Sequence, residues 1–220
     1  MTRIAVLAGP SLPPEDRIDA PNVRYLPSAR RGDVAAAADG SDVVLLIDGV
    51  FHDDLAPSPK EVLEVCRTTT LIGAASIGAL RAVECAPFGA RPYGIVARWY
   101  GEGFIDGDDE VAVSMDPVTE RALSVPLVNV RFLLRLARHR GTLTRVESER
   151  VLLHAHRVFY ADRTWDDVLE SVPAHKRRVL GLLTQHADLK RLDARLALRY
   201  ALRPHAVDAF TQEPPTLHED

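Results

Sequence analysis

Lysine is nearly missing from this chain. The sequence holds 27 Lys+Arg in 220 residues, and subtracting Lys60, Lys176 and Lys190 leaves 24 arginines. A positive charge is therefore written as arginine by default. Each surviving lysine becomes a candidate for work arginine cannot do, above all proton transfer. Cysteine is as scarce: Cys66 and Cys85 are the whole complement. They stand at no metal-ligand spacing and fall in apolar helical patterns, which reads as buried thiols in a reducing compartment. No apolar run reaches membrane-spanning length. The opening segment Met1–Ala8 is too short for a signal h-region plus cleavage site. These absences predict a cytoplasmic protein with no membrane partner. Strong charge of one sign is also lacking. A net charge of −4 gives no general attraction to nucleic acid, so none is expected as a partner. Gly101, Gly103 and Gly107 form no phosphate-binding fingerprint. The eight histidines are scattered, with His154 and His156 two apart on a helical pattern and so on different faces. No metal and no cofactor are expected, and no internal repeat is found.

What remains is an ordinary globular composition, 46% hydrophobic and 26% charged. The first hundred residues alternate short apolar runs with helical stretches. Residues 4–8, 43–47 and 71–74 read as strands. Their apolar residues are continuous rather than alternating, which means burial on both faces. Residues 33–39, 59–67 and 77–85 read as helices, the second with Ser58 as N-cap and Pro59 at its first position. The fold class that follows is α/β, a parallel-sheet core with flanking helices, followed by an α-helical C-terminal region. Helical periodicity marks 123–138, 145–159, 164–171, 175–186 and 189–200. The expected divisions are an α/β domain over 1–118, a helical region over 119–203 and a disordered tail over 204–220. From Arg131 to Arg203 there are 16 Lys+Arg against 8 Asp+Glu, a net of +8. That surface is either simply solvated or a docking face for an acidic partner.

In parallel sheets, ligand sites gather at the carboxyl ends of strands. Three ends carry polar or glycine residues here: Gly9-Pro10-Ser11, Asp48-Gly49 and Ala75-Ser76. Ser76 stands between a strand and a helix, among small residues that permit a sharp turn. It is a candidate nucleophile, and equally a candidate helix N-cap. A nucleophilic serine needs a base. Lys60 is the first candidate, and His52 after Asp48-Gly49 is its rival. The Ile77 N–H at the helix start and the Gly49–Val50 backbone are candidate oxyanion donors. Asp106 to Glu110 is an acidic cluster whose spacing fits no EF-hand, and Val111–Val113 reads as a strand or helix following directly.

These residues carry a resemblance to the TfuA-like family. The matching stretches are Gly9-Pro10-Ser11-Leu12, Ile47-Asp48-Gly49-Val50-Phe51, Lys60-Glu61-Val62-Leu63, Ala75 to Glu84, Asp108-Asp109-Glu110-Val111-Ala112 and Leu127-Val128-Asn129-Val130-Arg131. Phe159 to Arg163 matches more loosely. Ile77, Pro59 and Gly89-Ala90 depart from the family pattern, where Met, His and Gly-Met are usual. The resemblance implies a role beside a YcaO-type enzyme in installing thioamides in ribosomally made peptides. It implies a sulfur-supply or recruiting part in that reaction, with a ThiS-like sulfur-carrier protein as a further partner and the precursor peptide as a candidate one. Joined with the reading of the residues, it leaves as candidate site residues Ser76 and Lys60 as catalytic pair; Gly49, Val50, Ile77 and Asp48 in support; and Ser11, His52, Arg81, Glu84, Asp108, Asp109 and Glu110 as further candidates. The stretch Ala75–Ala79 is also similar to the nucleophile segment of Clp-type serine peptidases. Together these readings lead to an expected serine hydrolase acting on a protein thiocarboxylate, with a non-catalytic adaptor as the alternative.

Overall fold

Four consecutive apolar residues, Ile4–Leu7, make strand β1, and all four are buried. β3 (Val43–Leu46) is equally apolar and buried. In the computed structural model, which describes residues 1–51 and 55–203, they lie side by side in a parallel five-stranded sheet. The others are β2 (Val23–Leu26), β4 (Thr70–Ala74) and β5 (Arg91–Tyr93), in the order β2-β1-β3-β4-β5. Every pairing is parallel, so all five carboxyl ends emerge at one edge.

Side-chain alternation divides the core into two layers. Ala5, Leu7, Val44, Leu46 and Leu71 face α1 (Asp33–Ala38), α2 (Pro59–Cys66) and α3 (Ile77–Cys85). Ile4, Val6, Val43, Leu45 and Ile72 face the opposite way, onto Ala194, Ala197, Leu198 and Ala201 of α9 (Leu189–Ala201). α2 starts where the sequence places it: Ser58 accepts the Glu61 N–H at 3.2 Å and Pro59 opens the helix.

β2, β5 and α4 (Gly94–Gly101) are additions to the sequence reading. β2 and β5 are the sheet's two edges, partly exposed, and β5 contains Pro92; neither presents a continuous apolar run. α4 lacks a local start signal. Gly94 sits at φ +96° and the cap comes from Asp193, which accepts the Val96 N–H at 2.7 Å from 97 residues away.

The described chain divides into two units, residues 1–104 together with the chain from Asp193, and residues 105–192. The second contains α5 (Leu127–His139), α6 (Arg145–Arg157), α7 (Trp165–Glu170), α8 (Ala174–Thr184) and the first turn of α9. α5 begins four residues later than expected because Pro126 holds the N-cap position. Residues 111–113 form neither strand nor helix; a short 3-10 turn over Asp108–Glu110 precedes them. The core of this unit is Leu127, Val130, Leu133, Val151, Val168, Leu180 and their neighbours. Arg163 is buried inside it, donating to the carbonyls of Ala155, Val125 and Val158 at 2.9–3.2 Å. Burial holds its pKa below the usual guanidinium value. The expected tail over 204–220 lies outside the described residues. Among those described, no helix is long and apolar enough to cross a membrane.

Candidate active site at the carboxyl edge of the sheet

α3 lies unusually close to the sheet. A Cβ on Gly78 would come 1.9 Å from the Leu46 carbonyl oxygen, and one on Gly73 would come 2.0 Å from the Gly78 oxygen. The Gly78 N–H donates to the Ile47 carbonyl at 3.2 Å. The small residues around Ser76 are thus explained first by helix-on-sheet packing. The entry to the helix is then forced. β4 ends at Ala74, and Ala75 turns the chain with φ +65°, a left-handed conformation that non-glycine residues adopt at a cost of about 1 kcal/mol or more.

That turn places Ser76 at the N-cap position of α3, 2% exposed. Its side chain makes no capping hydrogen bond. Position alone suits an N-cap, but the hydroxyl does not perform the task. The Ser76 carbonyl accepts the Ala79 N–H at 2.9 Å. The Ile77 N–H, in the first turn, has no acceptor among the described residues.

Asp48 follows β3 and is buried. Its carboxylate accepts the Gly9 N–H and the Ser11 N–H at 2.9 Å each, and the Ser11 hydroxyl at 2.6 Å. The β1 and β3 tips are therefore locked together, as the sequence suggests, and the Asp48 carboxylate is committed to that lock. Next to it, the Ala29 N–H donates to the Asp48 carbonyl at 2.8 Å and the Val50 N–H to the Ala29 carbonyl at 3.0 Å. The expectation that Val50 supplies an oxyanion donor fails for this reason: its N–H is taken. A Cβ on Gly49 would sit 2.7 Å from the Ala29 carbonyl oxygen and 3.0 Å from the Ile77 side chain. Of the candidate donors, the Gly49 and Ile77 N–H groups have no acceptor among the described residues.

The loop into α2 runs along α3. Arg81 donates to the Pro57 carbonyl at 2.7 Å and pairs with Glu84 at 2.8 Å, and the Cys85 thiol reaches the Pro59 carbonyl at 3.6 Å. These contacts lead from the first turn of α3 toward its far end. Lys60 comes next, with its side chain exposed. No hydrogen bond joins it to Ser76 among the described residues. The desolvation expected of a basic lysine is therefore not present in this conformation. His52 lies outside the described residues.

Asp108, Asp109 and Glu110 belong to the second unit. Glu110 is buried and accepts from the Nε and Nη2 groups of Arg131, with Nε–O distances of 2.9 and 3.1 Å. Asp108 is exposed. Asn129 caps α9, accepting the Leu189 N–H at 3.0 Å, and Lys190 donates to the Val111 carbonyl at 2.7 Å. Among the described residues, no cluster of three or more His, Cys, Asp or Glu could hold a metal. Burial pushes the Cys66 thiol up to about 11, and the Cys85 thiol is raised for the same reason. Neither is a ready thiolate.

The residues just described, from Asp48 through the Ser76 turn to Arg163, coincide with a family match. The model of TfuA-like proteins fits residues 48–164, more than half of the chain. The chain belongs to the TfuA-like family. A comparison with curated proteins gives no match. TfuA-like membership fits a role in YcaO-associated thioamidation, and the family is associated with YcaO partners. Sequence reasoning missed Asp193 altogether. It is fully buried, and burial pushes its carboxyl up to about 6 against the Val96 and Ile95 N–H groups that favour its charge. Only the fold, by bringing α9 onto α4, makes that residue visible.

Proposed function

We propose that this TfuA-like protein releases sulfide from a thiocarboxylated sulfur-carrier protein for a YcaO-type enzyme. One observation carries the reading: Ser76 is held on a strained strand-to-helix turn with its hydroxyl uncommitted to capping. The Ile77 and Gly49 N–H groups have no acceptors among the described residues. The Ser76 oxygen attacks the thioacyl carbon, and a base takes its proton. The Ile77 and Gly49 N–H groups, helped by the α3 dipole, hold the oxyanion. The C–S bond breaks and hydrosulfide leaves. Water then attacks the acyl-serine, returning the carrier carboxylate and the free hydroxyl. No electron changes hands, and no cofactor enters. The high thiol pKa of Cys66 and Cys85 supports a route in which sulfur is never carried on this chain.

Lys60 is the proposed base. Free-enzyme geometry does not decide a base, since catalytic hydrogen bonds tighten on substrate binding. A carrier seated over α2 would strip water from the exposed amine. A second reading, a non-catalytic adaptor for the carrier or precursor peptide, gains from that same exposure of Lys60.

The test is sulfide release from the thiocarboxylated carrier. Ser76→Ala should abolish release while the variant remains folded and still binds the carrier. Lys60→Arg should be as inactive as Lys60→Ala, because arginine keeps the charge but accepts no proton near neutral pH. Full release by Ser76→Ala would remove Ser76 as the nucleophile, whereas carrier binding without release by the wild type would establish the adaptor reading. Activity in Lys60→Arg alone would move the base to His52.

A further inference from the structure

α8 is charged against its own dipole. Its sequence, Ala174 to Thr184, contains no acidic residue, and its N-cap, Pro173, gives no side-chain hydrogen bond. His175, Lys176, Arg177 and Arg178 crowd the first turns, where the free N–H groups already present partial positive charge. Two of the four have evident local work. Lys176 pairs with both Glu147 oxygens at 2.8 Å, and Arg177 closes the end of α7 through the Val172 and Glu170 carbonyls. His175 and Arg178 are exposed, and among the described residues they have no hydrogen bond or ion pair. A sequence that breaks a local rule without compensation within the fold marks a site where function sets the residues.

The exposed positions share one face. His175, Arg178, Val179 and Leu182 fall at i, i+3, i+4 and i+7. At the centre are two large apolar side chains left in water, Val179 at 48% exposed and Leu182 at 62%. Leu180 and Leu183 of the same helix turn into the core instead. The outer face therefore sets a small apolar centre beside exposed His175 and Arg178.

We infer that this outer face of α8 docks an acidic amphipathic helix of a partner protein, with Val179 and Leu182 as anchors and carboxylates against His175 and Arg178. Charge complementarity selects the occupant. An exposed arginine without an acidic partner among the described residues and a histidine beside a small apolar centre fit a helix bearing carboxylates beside its own apolar stripe. An anionic membrane surface fits less well, because interfacial helices need a long apolar face and α8 offers little more than one exposed turn. The inference rests on the partnered role proposed above, but not on Ser76 chemistry.

The test uses the full chain and a purified YcaO-type enzyme of the same pathway as probe, followed by calorimetry at low and moderate salt. The wild type and Ser76→Ala should bind equally. Arg178→Glu and Leu182→Asp should each weaken binding at least tenfold, and wild-type binding should fall as salt rises. Both side chains are exposed, so far-UV circular dichroism should be unchanged. Val179→Asp serves as a second apolar variant should Leu182→Asp fold poorly. Unchanged binding by the folded variants overturns the inference while leaving sulfide release to be judged separately. So does variant-sensitive binding to vesicles of anionic lipid without binding to the enzyme. Loss of sulfide release in Ser76→Ala with normal docking supports both proposals, whereas normal release with failed docking in Arg178→Glu separates them.

Discussion

The stretch around Ser76 and the stretches around Glu110 and Arg131 both carry the family pattern, yet they are built on opposite principles. At Ser76 the structure is made by what side chains leave out. Gly73 and Gly78 let α3 touch the sheet backbone, and Ser76 keeps its hydroxyl out of the capping bond. In the second unit the structure is made by side chains that satisfy one another. Glu110 closes on Arg131, Lys190 on the Val111 carbonyl, and Arg163 on three carbonyls. A motif that consumes its own polar groups reads as architecture, whereas one that leaves a hydroxyl and two N–H groups uncommitted reads as a place for chemistry.

The largest effect should come from filling the contact that defines the first region. Gly78→Ala puts a carbon into the Leu46 carbonyl, backbone against backbone. It should destabilise the fold by about 3 kcal/mol or more, measured by urea unfolding. A loss under about 1 kcal/mol would show that α3 can shift, and would weaken the contrast. Breaking the second region comes next. Glu110→Ala leaves the Arg131 guanidinium partly buried without its carboxylate, and about 3 kcal/mol should be lost in the same measurement.

Asp193 gives an effect on the order of 2–3 kcal/mol with a definite pH signature. Its folded value, about 6, lies above the ordinary 3.8. The folded state keeps a proton that the unfolded chain has released, so this contribution to stability falls as pH rises from about 4 to about 6 and then levels. Asp193→Asn should remove that fall and be the more stable protein at pH 7. A wild-type stability curve that rises over this interval by the same amount would refute the assignment. Glu147 behaves in the opposite sense and more weakly. The hydrogen bonds from Lys176 and the Thr144 cap hold it at about 2, below the ordinary 4.5. Its contribution is present above pH 4.5 and disappears as pH falls toward 2. The difference in melting temperature between wild type and Lys176→Met should vanish over that range.

Ser76→Ala should disturb stability least. With no capping bond to lose, the change should fall well below the roughly 1 kcal/mol of a functional N-cap. A loss of that size or more would restore the capping role and erase the difference between the regions.

The sheet's inner strands were readable because burial on both faces writes itself as continuous apolar runs, as at Val43–Leu46. The start of α2 was readable because Ser58 and Pro59 are a local signal. β2 and β5 were not, since edge strands bury too little to leave a pattern. The acidic stretch Asp106–Glu110 reads by composition as one cluster, but its buried member, Glu110, is matched to an arginine 21 residues on.

By itself, the sequence determined the fold class, the shared edge for Gly9, Asp48 and Ser76, and the family. Each rests on local periodicity or a short contiguous motif. Only the tertiary structure decided that Asp48 is committed to Gly9 and Ser11, that Val50 is occupied while Gly49 is not, that Lys60 faces water, and that Asp193 caps α4. Each of these depends on which groups meet across distant parts of the chain. A hydrogen bond spends a donor on the nearest acceptor in space, and sequence distance says nothing about which acceptor that will be.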